Sequence, residues 1–139
     1  MAHLQMSVVT LRISGEDLIP AEITTRLGAL PTHTVTKGDA IEGLKTGHVR
    51  TAKTGMWHFS APECEPGNID GQIEWILDQL TQDLTVWQRL TKTYRTDLFC
   101  GLFMREQNEG LTISPISLIA LGERGIELDL DIYFNGEDD

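Results

Sequence analysis

Residues 8–14 read Val-Val-Thr-Leu-Arg-Ile-Ser, and this stretch decides the class of fold. Its apolar residues Val9, Leu11 and Ile13 alternate with more polar neighbours. A repeat of two residues is typical of a strand that buries one face and exposes the other. The sequence therefore predicts a half-buried β-strand close to its start.

The elements that follow this strand recur, in outline, in the second half of the chain. A short helix is predicted over residues 20–27, because Pro20 suits a first helical turn and Gly28 suits a C-cap. The same order of strand, turn, proline-opened helix and Leu-Gly stop runs from Leu102 to Gly122. We interpret the two stretches as pseudo-duplicated β-α-β units.

A helical pattern lies between the two units. Asn68 is a suitable N-cap, and the apolar residues of one helical face follow it: Ile69, Ile73, Ile76, Leu77 and Leu80. The sequence leaves open whether residues 81–83 interrupt this helix, since Asp83 suits either a new cap or a solvent-facing position. Taken together, the elements predict an α+β fold, a two-layer ferredoxin-like sandwich whose two units are joined by a long central helix.

Three further stretches complete the predicted sheet. Residues 29–55 contain many glycines and predict an irregular excursion with short strands, whereas residues 56–60 predict a strand that buries Trp57 and Phe59 and turns His58 the other way. The apolar run 98–104 predicts a central strand covered on both faces or nearly so. The last strand is predicted to place one set of side chains in the core and another in water: Ile126, Leu128, Leu130, Ile132 and Phe134 inward, and Glu127, Asp129, Asp131 and Tyr133 outward.

Length and charge limit the functions that the chain can have. Its 139 residues fit a single domain, 1–139, with a core of about residues 8–134 and an acidic tail over 135–139. The balance of 11 Lys and Arg against 21 Asp and Glu gives a formal charge of −10. Such a field repels phosphate backbones and anionic lipid, so we expect neither nucleic acid nor a membrane as partner.

The compartment is predicted from the start of the chain and from its cysteines. The first residues lack a basic region followed by a long apolar run, and no stretch approaches the roughly 18 apolar residues of a membrane helix. Cys64 and Cys100 match neither a disulfide framework nor a Cys-x-x-Cys motif. We therefore expect a reduced, cytoplasmic protein.

Several landmarks in a fixed order carry a family resemblance. They are Pro20-x-x-Ile23-x-x-x-Leu27-Gly28, Lys37-Gly38, Thr54-Gly55-x-Trp57-x-x-Ser60, the central amphipathic helix, and Gly125-Ile126-x-Leu128-x-x-Asp131-Ile132-Tyr133. From about residue 8 to residue 133 the chain resembles the bacterial family called domain of unknown function 4279. The resemblance implies a small stand-alone bacterial domain, and it implies no activity, substrate or catalytic residue.

The leading functional hypothesis comes from the distribution of charge. No Lys or Arg lies between residues 54 and 88, where acidic residues accumulate, and Trp75 lies off the apolar stripe of the helix. Such a surface attracts a basic protein partner, in the manner of an immunity protein that neutralises a cationic toxin. We predict a non-enzymatic binding domain that uses Trp75, Glu74, Asp78 and Asp83, and leave the choice between monomer and homodimer open.

The alternative hypothesis is a small metal-dependent enzyme or ligand-binding regulator that uses His58 with Asp129 and Asp131. The carboxylates of residues 127, 129 and 131 project from one strand face at intervals of about 7 Å, so two of them could share Ca²⁺ or Mg²⁺. The simpler interpretation is a solvated strand face that discourages aggregation. We adopt the simpler one and predict no metal and no cofactor.

No sequence motif indicates a catalytic residue. The histidines at 33, 48 and 58 fit no metal-ligand spacing, and Ser60, Cys64 and Cys100 lie in no nucleophile motif. We therefore predict no catalytic residues.

Overall fold

The computed structural model describes residues 4–43 and 47–134. Its seven strands in these ranges are β1 (Met6–Gly15), β2 (His33–Val35), β3 (Ala40–Glu42), β4 (Val49–Thr51), β5 (Gly55–Ser60), β6 (Arg95–Met104) and β7 (Glu127–Phe134). Its four helices are α1 (Pro20–Leu27), α2 (Ile69–Asp78), α3 (Leu84–Thr93) and α4 (Pro115–Arg124). The predicted acidic tail, residues 135–139, lies outside the described residues.

Five strands form one mixed sheet in the order β2-β5-β1-β6-β7, and β3 and β4 form a separate two-stranded ladder. Strand β1 is the middle strand and pairs antiparallel with both β5 and β6. Strands β6 and β7 pair in parallel. The predicted α+β class is confirmed.

The helices share one face of the sheet. Val9, Leu11 and Ile13 of β1 are fully buried there, as are Trp57 of β5 and Leu98 of β6. The apolar residues of all four helices join the same cluster, among them Ile23, Ile73, Trp87 and Leu121. The opposite face, which we call the uncovered face, therefore carries no helix within the described part of the chain.

Several elements that were predicted from capping residues and local sequence patterns are confirmed. Helix α1 has Pro20 at its first position and ends at Gly28, whose φ of 83° lies in the left-handed region that favours glycine. Asn68 caps α2, since its side chain accepts a hydrogen bond from the backbone N–H of Gly71. Strand β5 buries Trp57 and Phe59 as predicted.

The predicted pseudo-duplication is wrong, because the two halves pair their strands differently. In the first half, β1 before α1 pairs antiparallel with β5, whereas β6 and β7, which flank α4, pair in parallel. The reason is the excursion over residues 29–54, which adds β2, β3 and β4 between α1 and β5. A single crossover helix gives a parallel pair, and the extra segments of the first half return the chain in the opposite direction. A ferredoxin-like sandwich is not confirmed.

The single long central helix is also wrong, because two helices occupy that stretch. The Gln82 side-chain amide donates to the carbonyls of Leu77 and Leu80, which stops α2. The Asp83 carboxylate accepts a 2.9 Å hydrogen bond from the backbone N–H of Thr85 and starts α3. Of the two roles that the sequence left open for Asp83, the structure shows the cap.

The last two strands are less covered than predicted. Ile126 is buried and Leu128 is partly buried, but Leu130, Ile132 and Phe134 are 42%, 59% and 46% exposed. The reason is that β7 is an edge strand, so the helical layer reaches only its first part. Strand β6 lies between β1 and β7, but the helices of residues 4–43 and 47–134 cover one of its faces and not the other.

The helices within the described ranges do not include one that is both long enough and apolar enough to cross a membrane.

The break between α2 and α3 is tested by Asp83→Ala. Loss of the cap should lower the free energy of unfolding by about 1 kcal/mol, measured by urea denaturation. Asp78→Ala is the matched control; it removes an exposed carboxylate at the negative end of α2 and should leave stability unchanged or slightly raised. In one continuous helix the sign would reverse, because alanine is a better helix former than aspartate.

Candidate functional site

The uncovered face brings polar side chains of four adjacent strands into one row. Arg12 of β1 lies directly opposite His58 of β5 and Asp97 of β6. His33 of β2 lies opposite His58 on its other side. Residues opposite one another in an antiparallel pair place neighbouring side chains on the same face. The row is therefore a continuous polar surface.

Arg12 is the centre of an ion-pair cluster, which we call the arginine cluster: Arg12, Asp97 and Asp129. Arg12 Nε and Nη2 each donate to one carboxylate oxygen of Asp97 at 2.8 Å. Nη2 also donates to Asp129 Oδ2 at 3.1 Å. The guanidinium carbon lies over the Phe99 ring, 4.5 Å from its centre, in a cation–π contact.

The arginine cluster contains a buried carboxylate and a partly exposed cation. The side chain of Asp97 is 5% exposed, whereas that of Arg12 is 33% exposed. A buried carboxylate is stable only where a cation and hydrogen bonds compensate it. The hydrogen bond to Asp97 raises the pKa of Arg12 above its ordinary value, and burial opposes this rise. Sequence analysis did not single out Arg12 or Asp97, which are 85 residues apart.

His58 lies between the arginine cluster and His33. Its ring centre is 6.0 Å from that of His33. Burial lowers the pKa of His58 below its ordinary value, His33 and Arg12 lower it further, and Asp97 opposes them. The imidazole is therefore neutral at pH 7. A concavity of about 240 Å³ opens at this point of the face; its lining is Arg12, Ser14, Met56, His58, Arg95 and Asp97.

The structure places two of the three residues of the metal hypothesis close to this row. Asp129 reaches Arg12, whereas Asp131 lies further along β7 and accepts a hydrogen bond from the Tyr133 hydroxyl. That hydrogen bond raises the pKa of Tyr133. No group of three His, Cys, Asp or Glu side chains suited to a metal ion occurs in residues 4–43 and 47–134. The use of His58 with Asp129 and Asp131 stays a prediction.

A second surface lies on α2. Glu74, Trp75 and Asp78 are exposed on this helix, and we call them the α2 surface. The Trp75 ring is 40% exposed and stacks on Phe59, with ring centres 5.7 Å apart. Asp83, which was predicted to act with them, is exposed and caps α3; its use in binding stays a prediction.

The comparison with known families agrees with the predicted resemblance. Residues 4–135 match the family described as domain of unknown function 4279, DUF4279. The chain belongs to that family. The match confirms the resemblance that was predicted for residues 8 to 133. No curated protein and no solved structure matches the chain.

The thiols and hydroxyls of this DUF4279 domain differ in their environments. Burial, followed by the charges of Asp129 and Asp97, raises the pKa of Cys100 to about 12. A thiol in this environment is a poor nucleophile at neutral pH. Ser60 Oγ shares a 2.8 Å hydrogen bond with Thr10 Oγ1 rather than with a base.

The contrast between the two free cysteines of the DUF4279 domain gives a direct test. Cys64 is partly exposed and Cys100 is buried. We expect iodoacetamide at neutral pH to modify Cys64 in the native protein and Cys100 only in denaturant, because attack requires an accessible thiolate. Mass spectrometry of the alkylated peptides measures both sites. Modification of Cys100 at the rate of Cys64 in the native protein would contradict the burial described for β6.

Proposed function

We propose that this DUF4279 protein is a non-enzymatic protein-binding domain, that the α2 surface is its recognition site, and that its partner is a basic protein. The observation that supports this most is the half-exposed Trp75 ring stacked on Phe59. Phe59 stacks in turn on the buried Trp57, with ring centres 5.9 Å apart. The exposed Trp75 ring therefore packs, through Phe59, against the hydrophobic core.

A supported aromatic ring is well suited to anchor an interface. Tryptophan is enriched among the few residues that contribute most of the binding energy of protein complexes. Because the stack on Phe59 already restricts the Trp75 ring, binding costs less side-chain entropy than it would for a free ring. A large aromatic surface is then available to a partner at low entropic cost.

The charges around this ring favour a basic partner. Glu74 and Asp78 flank Trp75 on the exposed side of α2, and no Lys or Arg occurs between residues 54 and 88. An arginine of a partner can stack on an indole ring while it donates to neighbouring carboxylates. Complementary charge also accelerates encounter with the partner.

Two features support a binding role over a catalytic one. The carboxylates of Asp97 and Asp129 are engaged by Arg12, so a cation bound there would have to displace the guanidinium. The Ser60 hydroxyl shares a hydrogen bond with the Thr10 hydroxyl, and burial raises the pKa of the Cys100 thiol, so neither group is an activated nucleophile.

We further propose a cytoplasmic location, since both cysteines are free, and an immunity-type role in which a cationic protein is neutralised. The net charge of −10 supports a protein partner over nucleic acid or an anionic membrane. Whether the domain acts as a monomer or as a homodimer would follow from the mass of the complex.

The test is affinity capture from a bacterial lysate at low and moderate salt, followed by calorimetry with the purified partner. We expect a basic protein that binds wild type and is lost by the double variant Glu74→Gln, Asp78→Asn. Trp75→Ala should weaken binding at least about tenfold, which corresponds to about 1.4 kcal/mol.

The control for nonspecific charge is the double variant Glu22→Gln, Glu123→Gln. It makes the same change of net charge with exposed residues of α1 and α4, and it should retain the partner. Equal loss of partner binding in both double variants would show that binding depends on net charge and not on the α2 surface. Equal retention, or no basic protein captured at low salt, would overturn the α2 surface as the recognition site.

A further inference from the structure

We infer that the concavity on the uncovered face binds a small oxyanion, the carboxylate or sulfate-like group of a small molecule. This site is separate from the α2 surface and does not depend on it. The concavity has a volume of about 240 Å³. Pockets for drug-sized ligands have about 300–1,000 Å³, so this one suits a small acid.

Hydrogen-bond donors without protein partners converge on this concavity. Arg12 uses Nε and Nη2 for Asp97 and Asp129, and its Nη1 has no partner among residues 4–43 and 47–134. The Ser14 hydroxyl and the Arg95 guanidinium line the same concavity, again without a hydrogen bond to the described chain. An oxyanion satisfies several such donors at once.

Strand register explains why these donors meet. Ser14 lies opposite Arg95 of β6 and Met56 of β5, one step along the face from the row of Arg12 and His58. The two rows thus form a patch two residues deep and three strands wide. Such a patch has fixed geometry, because its members stand on paired strands and not on loops.

The main donor is already oriented before a ligand arrives. Arg12 is held by both oxygens of Asp97, by Asp129 and by the Phe99 ring. A fixed guanidinium loses little conformational entropy on binding. The charges of Arg12 and Arg95 balance those of Asp97 and Asp129, and the two carboxylates engage only Nε and Nη2 of Arg12, so Nη1 and the Arg95 guanidinium stay available to an anion.

Binding is expected to depend on pH through His58. The groups that face it are His33 from β2, Arg12 from β1 and Asp97 from β6. Burial and the two basic neighbours disfavour the protonated imidazole, and a bound anion would favour it. By linkage, a ligand that raises the pKa of His58 binds more tightly as pH falls through that pKa.

The test is titration of the full chain with sodium sulfate at constant ionic strength, kept constant with sodium chloride. Sulfate is the probe because its charge does not change between about pH 5 and pH 7.5, the range in which histidine titrates. NMR follows the His58 imidazole and the Arg95 side chain. We expect saturable shifts at both, a higher His58 pKa in sulfate than in chloride, and several-fold tighter binding at the lower pH.

The variants separate this site from a general charge effect. Arg95→Gln removes an exposed donor whose side chain makes no hydrogen bond or ion pair with the described residues, so the fold is retained, and sulfate binding should weaken at least about tenfold. Arg89→Gln removes an exposed arginine of α3 and should bind like wild type. An unchanged His58 in sulfate, or equal binding by wild type and Arg95→Gln, would overturn the site. Loss of binding to a basic protein would bear only on the α2 surface.

Discussion

Strand β1 pairs with β5 along one edge and with β6 along the other, and the helices pack against the face of the sheet that it centres. Its side chains alternate between the core and the uncovered face, so Ile13 is buried and Arg12 is not. A slip of one residue in either ladder would exchange the two faces and place Arg12 in the apolar layer. The ion pair between Arg12 and Asp97 adds a polar constraint to the same register, since only this alignment puts the two residues opposite each other.

The arginine cluster also shields part of the uncovered face from solvent. Strand β6 carries apolar residues toward both faces, and the guanidinium of Arg12 shields Phe99 on the face that no helix of the described residues covers. Burial of the Asp97 carboxylate costs free energy that hydrogen bonds from Arg12 offset. The same contacts fix the orientation of Arg12. They therefore stabilise the sheet and also hold the guanidinium in place for the oxyanion that we propose.

Elements defined by neighbouring residues could be predicted from sequence, whereas pairings between distant residues could not. Pro20 and Gly28 set the ends of α1 through local backbone preferences, and the exposure of Trp75 follows from its position off the helical stripe. The direction of β5 depends on the path of the excursion over residues 29–54, for which the sequence gives no register. The contact of Arg12 with Asp97 depends on the pairing of β1 with β6, so the residue pattern of either strand alone does not predict it.

A double-mutant cycle between Arg12 and Asp97 tests most directly that this pair couples the central strands. Unfolding in urea is measured for wild type, Arg12→Met, Asp97→Asn and the double variant, all of similar side-chain size. We predict that each single variant is destabilised and that the double variant loses less than the sum, with a favourable coupling of about 1–3 kcal/mol. Losses that add to within about 0.5 kcal/mol would contradict the central role given to this pair.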